Sequence, residues 1–176
     1  MKDLSKYSKR VSSELGLIKI ANGLANVIQD QPSRLKVVGL IGDLGSGKSV
    51  FVRSVIQKLG YEGHIPSPTY TILEGYESVF SNIDIYHLDL YRLPNEQSSL
   101  RRSYRVIDEI GFYDLIKKEN LIVFIEWIDL FQEIEKLADL IVKIDTIDDD
   151  CESRVLNFLI KNDCLELVLS KYIISD

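Results

Sequence analysis

Apolar positions recur along this chain in two different periods. Leu17, Ile20, Ala21, Leu24 and Ile28 fall on one helical stripe. Ser12 and Ser13 can cap its start, and Gln31-Pro32-Ser33 ends it. Residues 35–41 are an apolar run of strand length, and Val52, Val55, Ile56 and Leu59 return to helical spacing as far as Gly60. Residues 83–92 alternate as a strand does. Residues 106–116 read as a helix with a break near Gly111. Residues 121–125 are continuously apolar, the composition of a strand buried on both faces. A short helix over 129–137 and strands over 140–144 and 154–160 follow; 165–174 is apolar and fits helix or strand equally. No repeat or linker interrupts the series, so 1–176 is expected to be one domain, with residues 1–10 a polar, frayed tail.

Between the strand at 35–41 and the helix after it stands Gly42-Asp43-Leu44-Gly45-Ser46-Gly47-Lys48-Ser49, which fits G-x-x-x-x-G-K-[ST] at every specified position. Glycines let the backbone turn tightly and approach a ligand with no Cβ in the way. Amide N–H groups and the helix N-terminus then face phosphates. Lys48 is expected to neutralise the β and γ phosphates and the Ser49 hydroxyl to ligate Mg²⁺. Asp43, Leu44, Gly45, Ser46, Gly47 and Val50 complete the expected nucleotide contacts. Strand, phosphate loop, helix and further buried strands predict an α/β fold of the P-loop NTPase type, a three-layer sandwich around a mostly parallel sheet.

Composition narrows the function. With 45% hydrophobic and 27% charged residues, the 176-residue chain is ordinary for a globular protein. The start has no apolar core for a signal peptide, and no apolar run approaches the roughly 20 residues that span a bilayer, so a cytoplasmic protein is expected. The net charge of −6 argues against strong direct binding of nucleic acid, which calls for a basic face. Cys151 and Cys164 are the only cysteines. They form no C-x-x-C pair, and two reduced thiols are expected rather than a zinc site or a structural disulfide. Asp148-Asp149-Asp150 lacks the glycine and distal glutamate of an EF-hand loop and reads as a solvated turn.

Three further stretches carry candidate chemistry. Pro66 and Pro68 hold an extended path past Ser67, Thr69 and Thr71. If extended, the three hydroxyls share a face, as in a loop that senses nucleotide state; the competing reading is a Pro-rich turn entering a strand. Asp89 comes late in the strand at 83–92, where a carboxylate can hold Mg²⁺ or position water. His87 on the same face is expected to be a hydrogen-bonded scaffold residue, and Arg92 either a phosphate clamp or half of a surface ion pair. Glu126 ends the apolar run 121–125, resembling a Walker B strand, and should sit opposite Ser49 across the metal. Trp127, the only tryptophan, fits core packing and contact beside the nucleotide alike.

The phosphate loop, Ser67-Pro68-Thr69-Tyr70-Thr71, His87-Leu88-Asp89-Leu90-Tyr91-Arg92 and Ile125-Glu126-Trp127 stand in this order. Together they resemble the bacterial TsaE (YjeE) family of small P-loop ATPases over about residues 15–160, and Arg53 matches an arginine that follows the family's loop. The resemblance implies ATP and Mg²⁺ as ligands, Asp89 and Glu126 as the acidic residues needed for hydrolysis, and Thr69 and Thr71 in a switch-like segment. It implies slow hydrolysis alone and a role in tRNA N6-threonylcarbamoyladenosine formation with TsaB and TsaD, tRNA being held by those partners. Two departures stand out: Val50 replaces the family's usual second threonine, and residues 95–105 form a longer connection than usual. The alternatives are a small P-loop kinase, for which no Arg-rich lid is visible, and a nucleotide-dependent switch that binds a partner. No guanine-reading N-K-x-D motif occurs, which favours adenine.

Overall fold

In this computed structural model, the described residues are 7–94, 100–147, 150–160 and 163–174. Among them are seven strands: β1 (Ser8–Val11), β2 (Val37–Ile41), β3 (Leu73–Phe80), β4 (Ile83–Asp89), β5 (Leu121–Glu126), β6 (Leu140–Ile147) and β7 (Asp150–Ile160). They form one sheet in the order β1-β7-β6-β2-β5-β4-β3. The central strands β6, β2, β5 and β4 run parallel, and antiparallel pairs close both edges. The helices are α1 (Glu14–Asp30), α2 (Lys48–Lys58), α3 (Leu100–Glu109), α4 (Phe112–Leu115), α5 (Gln132–Glu135) and α6 (Asp163–Leu169).

Alternation along the strands divides the core into two layers. Val38, Leu40, Ile122, Phe124, Val142 and Ile144 pack under α1, α2 and α6. Val37, Val123, Ile125 and Ile141 pack under α3, α4 and α5 on the other face. The result is the three-layer P-loop NTPase-like sandwich that the sequence predicts. No helix among the described residues is long and apolar enough to cross a membrane.

Local chemistry sets the element ends. The Ser13 hydroxyl accepts from the Gly16 amide at 3.2 Å and caps α1, a contact worth about 1 kcal/mol. Gly111, at φ 77°, breaks the helical stretch between α3 and α4. The ambiguous segment from 165 is helical: Leu165, Leu169 and Ile173 recur at four-residue spacing and are buried. A π-type turn, Ser170–Ile174, finishes it against α1, where the Tyr172 carbonyl approaches so closely that a side chain at Gly23 would clash.

The expected polar tail needs correcting. Ser8–Val11 is an edge strand, paired from Ser8↔Asn157 to Val11↔Arg154 on β7. Backbone pairing along the free edge of β7, with Tyr7 and Val11 buried, outweighs the polar side chains between them. Residues 1–6, 95–99 (most of the long connection) and 148–149 (two of the three consecutive aspartates) lie outside the described residues, as do the side chains of Cys151 and Cys164.

Candidate nucleotide site

Both central neighbours of β2 come later in the chain, which leaves a crevice beyond its carboxyl end. The phosphate loop fills that crevice. A Cβ at Gly42 would lie 2.3 Å from the Ile144 carbonyl oxygen, so only glycine lets the loop start flush against β6. Gly47 caps α2 in the left-handed region, at φ 109°. Leu44, Gly45, Gly47, Lys48, Ser49 and Val50 line the cleft. Asp43 contributes its carbonyl oxygen, and Ser46 lies fully buried within the loop with an unpartnered hydroxyl.

Lys48 crosses the floor of this cleft. Its Nζ donates to the carbonyls of Gly42 at 2.6 Å and Asp43 at 2.9 Å, and sits 3.9 Å from the centre of the Trp127 ring. Only 4% of the residue's surface is exposed. Burial holds its pKa below the usual lysine value, and the nearby Glu126, Asp89, Asp129 and Asp43 charges oppose that shift.

The parallel register brings the two predicted acids side by side. Asp89 pairs with Glu126 across β4 and β5, and Leu40 pairs with Glu126 across β2 and β5. Both carboxylates are about 2% exposed. Ser49 Oγ donates to Glu126 Oε2 at 3.1 Å, and Thr69 Oγ1 donates to Asp89 Oδ2 at 2.6 Å. Ser67 Oγ bridges the hydroxyls, 3.2 Å from Ser49 Oγ and 3.0 Å from Thr69 Oγ1. One oxygen arc therefore joins the phosphate loop, the segment before β3 and the ends of β4 and β5.

A proton count shows what the arc lacks. With both carboxylates ionised, three hydroxyl hydrogens serve four oxygen–oxygen contacts, so one contact has no proton. A hard cation would satisfy these oxygens, and the donor set of hydroxyls and carboxylates suits Mg²⁺. No cluster of three or more His, Cys, Asp or Glu side chains among the described residues could close around a metal. Mg²⁺ keeps waters and phosphate oxygens and takes only one or two protein carboxylates, so it would need no such cluster.

The segment carrying Ser67 and Thr69 is not extended throughout. Pro68–Thr71 turns, with the Ile72 amide donating to the Pro68 carbonyl at 2.7 Å, and Ile72 itself lies at φ 68°. The turn breaks the alternation, so Thr69 meets Asp89 and Ser67 joins Thr69 to Ser49, while Thr71 is exposed and outside the cleft lining. A β-branched residue in the left-handed region is strained backbone, a feature that clusters at functional segments. Arg53 steadies the segment's start by donating to the Ile65 carbonyl at 3.1 Å.

Other side chains resolve the open alternatives. His87 is buried, and its Nε2 lies 2.8 Å from Glu126 Oε1. An ionised Glu126 can only accept, so Nε2 is the donor in this contact, and Nδ1 is buried without a hydrogen-bond partner. Trp127, at φ 60°, turns the chain at the cleft and lines it, with its ring 4.9 Å from that of Tyr91. Arg92 stacks on the exposed Tyr70 ring at 4.1 Å and is absent from the cleft lining. Sequence reading gave Tyr91 no role although it stands in the block 87–92, and missed Arg154 as a neighbour of the loop, which no local motif marks because only the tertiary fold brings it there.

Known proteins resemble this chain in sequence and in fold. The family profile described as "Threonylcarbamoyl adenosine biosynthesis protein TsaE" matches residues 11–156, a stretch containing every site residue above. The tRNA threonylcarbamoyladenosine biosynthesis protein TsaE of Haemophilus influenzae is 31% identical over 150 residues, covering 85% of this chain and 86% of the relative. The protein of that name from Rickettsia felis is 31% identical over 147 residues, covering 77% and 79%. The crystal structure of Bacillus subtilus YdiB superposes with a TM-score of 0.65 at 22% identity, over 94% of this chain and 92% of that one, a likeness of fold.

Proposed function

The chain belongs to the TsaE family, and from that premise we propose that it binds and hydrolyses Mg-ATP in support of N6-threonylcarbamoyladenosine formation at position 37 of tRNA. The observation that carries this reading is the oxygen arc Asp89–Thr69–Ser67–Ser49–Glu126 at the mouth of a complete phosphate loop. The loop amides and Lys48 would bind the phosphates. Ser49 and Glu126, with Asp89 beside them, would hold Mg²⁺, whose charge offsets that of the phosphate oxygens. Asp89 Oδ2 now accepts from Thr69. Oδ2 would be the acceptor that orients an attacking water, while the Tyr91 amide at 2.9 Å fixes Oδ1.

Hydrolysis should depend on partners, with TsaB and TsaD as the pair. Leu44 and Tyr70 are 75% and 81% exposed beside the cleft, apolar surface of the kind a protein partner covers. The acidic balance leaves tRNA to that partner complex. A partner that held the segment from Ser67 to Ile72 would remove the entropy of ordering it, and each 1.4 kcal/mol so supplied is worth about tenfold in rate. The test is phosphate release by the chain alone, with the pair, and with tRNA, alongside counts of modified tRNA. Stimulation by the pair, with repeated modification only when ATP can be hydrolysed, is the expected result. Fast hydrolysis untouched by the pair, or phosphate transfer to a small acceptor as in a kinase, would overturn it.

A further inference from the structure

The β6–β7 hairpin supports the phosphate loop from behind at two points. Gly42 lies against the Ile144 carbonyl of β6, as the loop's start requires. From β7, Arg154 Nε donates to the Ser46 carbonyl at 2.9 Å, and its Nη1 donates to the Glu152 carbonyl. We infer that Arg154 is a positioning residue for phosphate binding: by holding the Ser46 carbonyl outward it turns the Gly47 N–H into the cleft. The inference rests on the nucleotide reading above and extends it to a residue outside the loop motif.

Peptide planarity links the two groups. In a planar trans peptide the C=O of one residue and the N–H of the next point in opposite directions. Fixing the Ser46 oxygen on β7 therefore fixes the Gly47 hydrogen on the other side, where Gly47 lines the cleft. The next peptide is fixed as well, because the Gly47 carbonyl accepts from the Phe51 amide at 2.8 Å in the first turn of α2. Gly47 at φ 109° would otherwise be free to rotate, since glycine has few steric limits. Arg154 is absent from the cleft lining, so it acts through the loop and not on the phosphates. A guanidinium suits this role because Nε and Nη1 donate in fixed directions to two carbonyls at once, which an ammonium on a flexible stem does not reproduce.

The test is calorimetry on the full chain with Mg-ATP and, separately, Mg-pyrophosphate, for the parent, Arg154→Ala and Arg154→Lys. Both variants should bind both ligands about tenfold more weakly, the scale of one charge-assisted hydrogen bond. The equal loss with pyrophosphate places the defect at the phosphates. Ethylguanidinium added to Arg154→Ala should restore the affinity. Should Arg154→Ala fail to fold, Arg154→Lys still decides, because it keeps the charge and the stem. Parental affinity in a folded Arg154→Ala, or in Arg154→Lys, would overturn the inference while leaving the ATP reading intact. A parent that binds neither ligand would overturn both.

Discussion

Phe124 and Glu126 stand two places apart on β5, both buried, Phe124 fully and Glu126 at 2% exposure. Phe124 packs among the apolar side chains beneath α1 and α2. Glu126 is bound by His87 and Ser49 and faces the buried Lys48. The body of the sheet gains stability from every apolar atom it removes from water. The loop end removes charged groups from water at a cost, a pattern that clusters at functional sites. Substitutions in the two regions should therefore fail in different ways: the body loses the fold, and the mouth loses chemistry while the fold persists.

The largest effect is expected in the body. Phe124→Ala should cost about 3–5 kcal/mol of unfolding free energy by leaving a cavity in the first core layer. Denaturant melts check this, and a loss of less than about 1 kcal/mol would mean that the layer repacks.

Next in size are the acids. Asp89→Asn and Glu126→Gln should each lower ATP hydrolysis about 10²-fold while Mg-ATP still binds and the melting temperature stays close to that of the parent. Either variant hydrolysing ATP at the parental rate would make that carboxylate structural and dissolve the contrast at its position.

His87 probes the boundary between the regions. His87→Gln keeps an N–H donor for Glu126 and should retain hydrolysis. His87→Leu removes the donor and should lower it about tenfold with nucleotide affinity unchanged. Equal rates in both variants would make the contact irrelevant to catalysis.

The smallest effect belongs to Tyr76, whose hydroxyl is buried without a partner and whose pKa burial pushes up to about 12. In the unfolded chain a tyrosine ionises near 10, so between 10 and about 12 the folded state retains a proton that the unfolded state has lost. This residue's stabilising contribution is thus complete below 10 and is lost as pH rises to about 12. Tyr76→Phe should match or slightly exceed parental stability at neutral pH and reduce the alkaline loss. Destabilisation at neutral pH would show that the hydroxyl is satisfied after all.

How far the sequence could be read follows the same division. Periodic burial made β2, β5, α1 and α2 legible, because each buries a continuous face. The phosphate loop was legible because its glycines meet local steric needs, as Gly42 does against Ile144. Asp89 and Glu126 were legible through their positions at strand ends, and parallel register then placed them side by side. Most of what escaped depended on partners distant in sequence. Ser8–Val11 is a strand only because β7 offers it an edge. Thr71 leaves the cleft because the chain turns at Pro68 before β3, as the competing reading of this segment has it; that turn is local, and the prolines alone did not choose it over an extended path. Arg154 reaches the loop across 108 positions of sequence, beyond any motif.

The central claim is that phosphate enters beside Lys48 and the acids. Trp127, the only tryptophan, lies 3.9 Å from Lys48 Nζ and directly follows Glu126, so its fluorescence reads that event. The decisive measurement is a titration of intrinsic fluorescence with Mg-ATP in the parent and in Lys48→Ala, with calorimetry on the same samples. The account predicts a saturable change in the parent that tracks the calorimetric affinity, and a binding curve in Lys48→Ala shifted to much higher nucleotide concentration. A parent whose tryptophan signal ignores saturating Mg-ATP, or a folded Lys48→Ala that binds as the parent does, would contradict it.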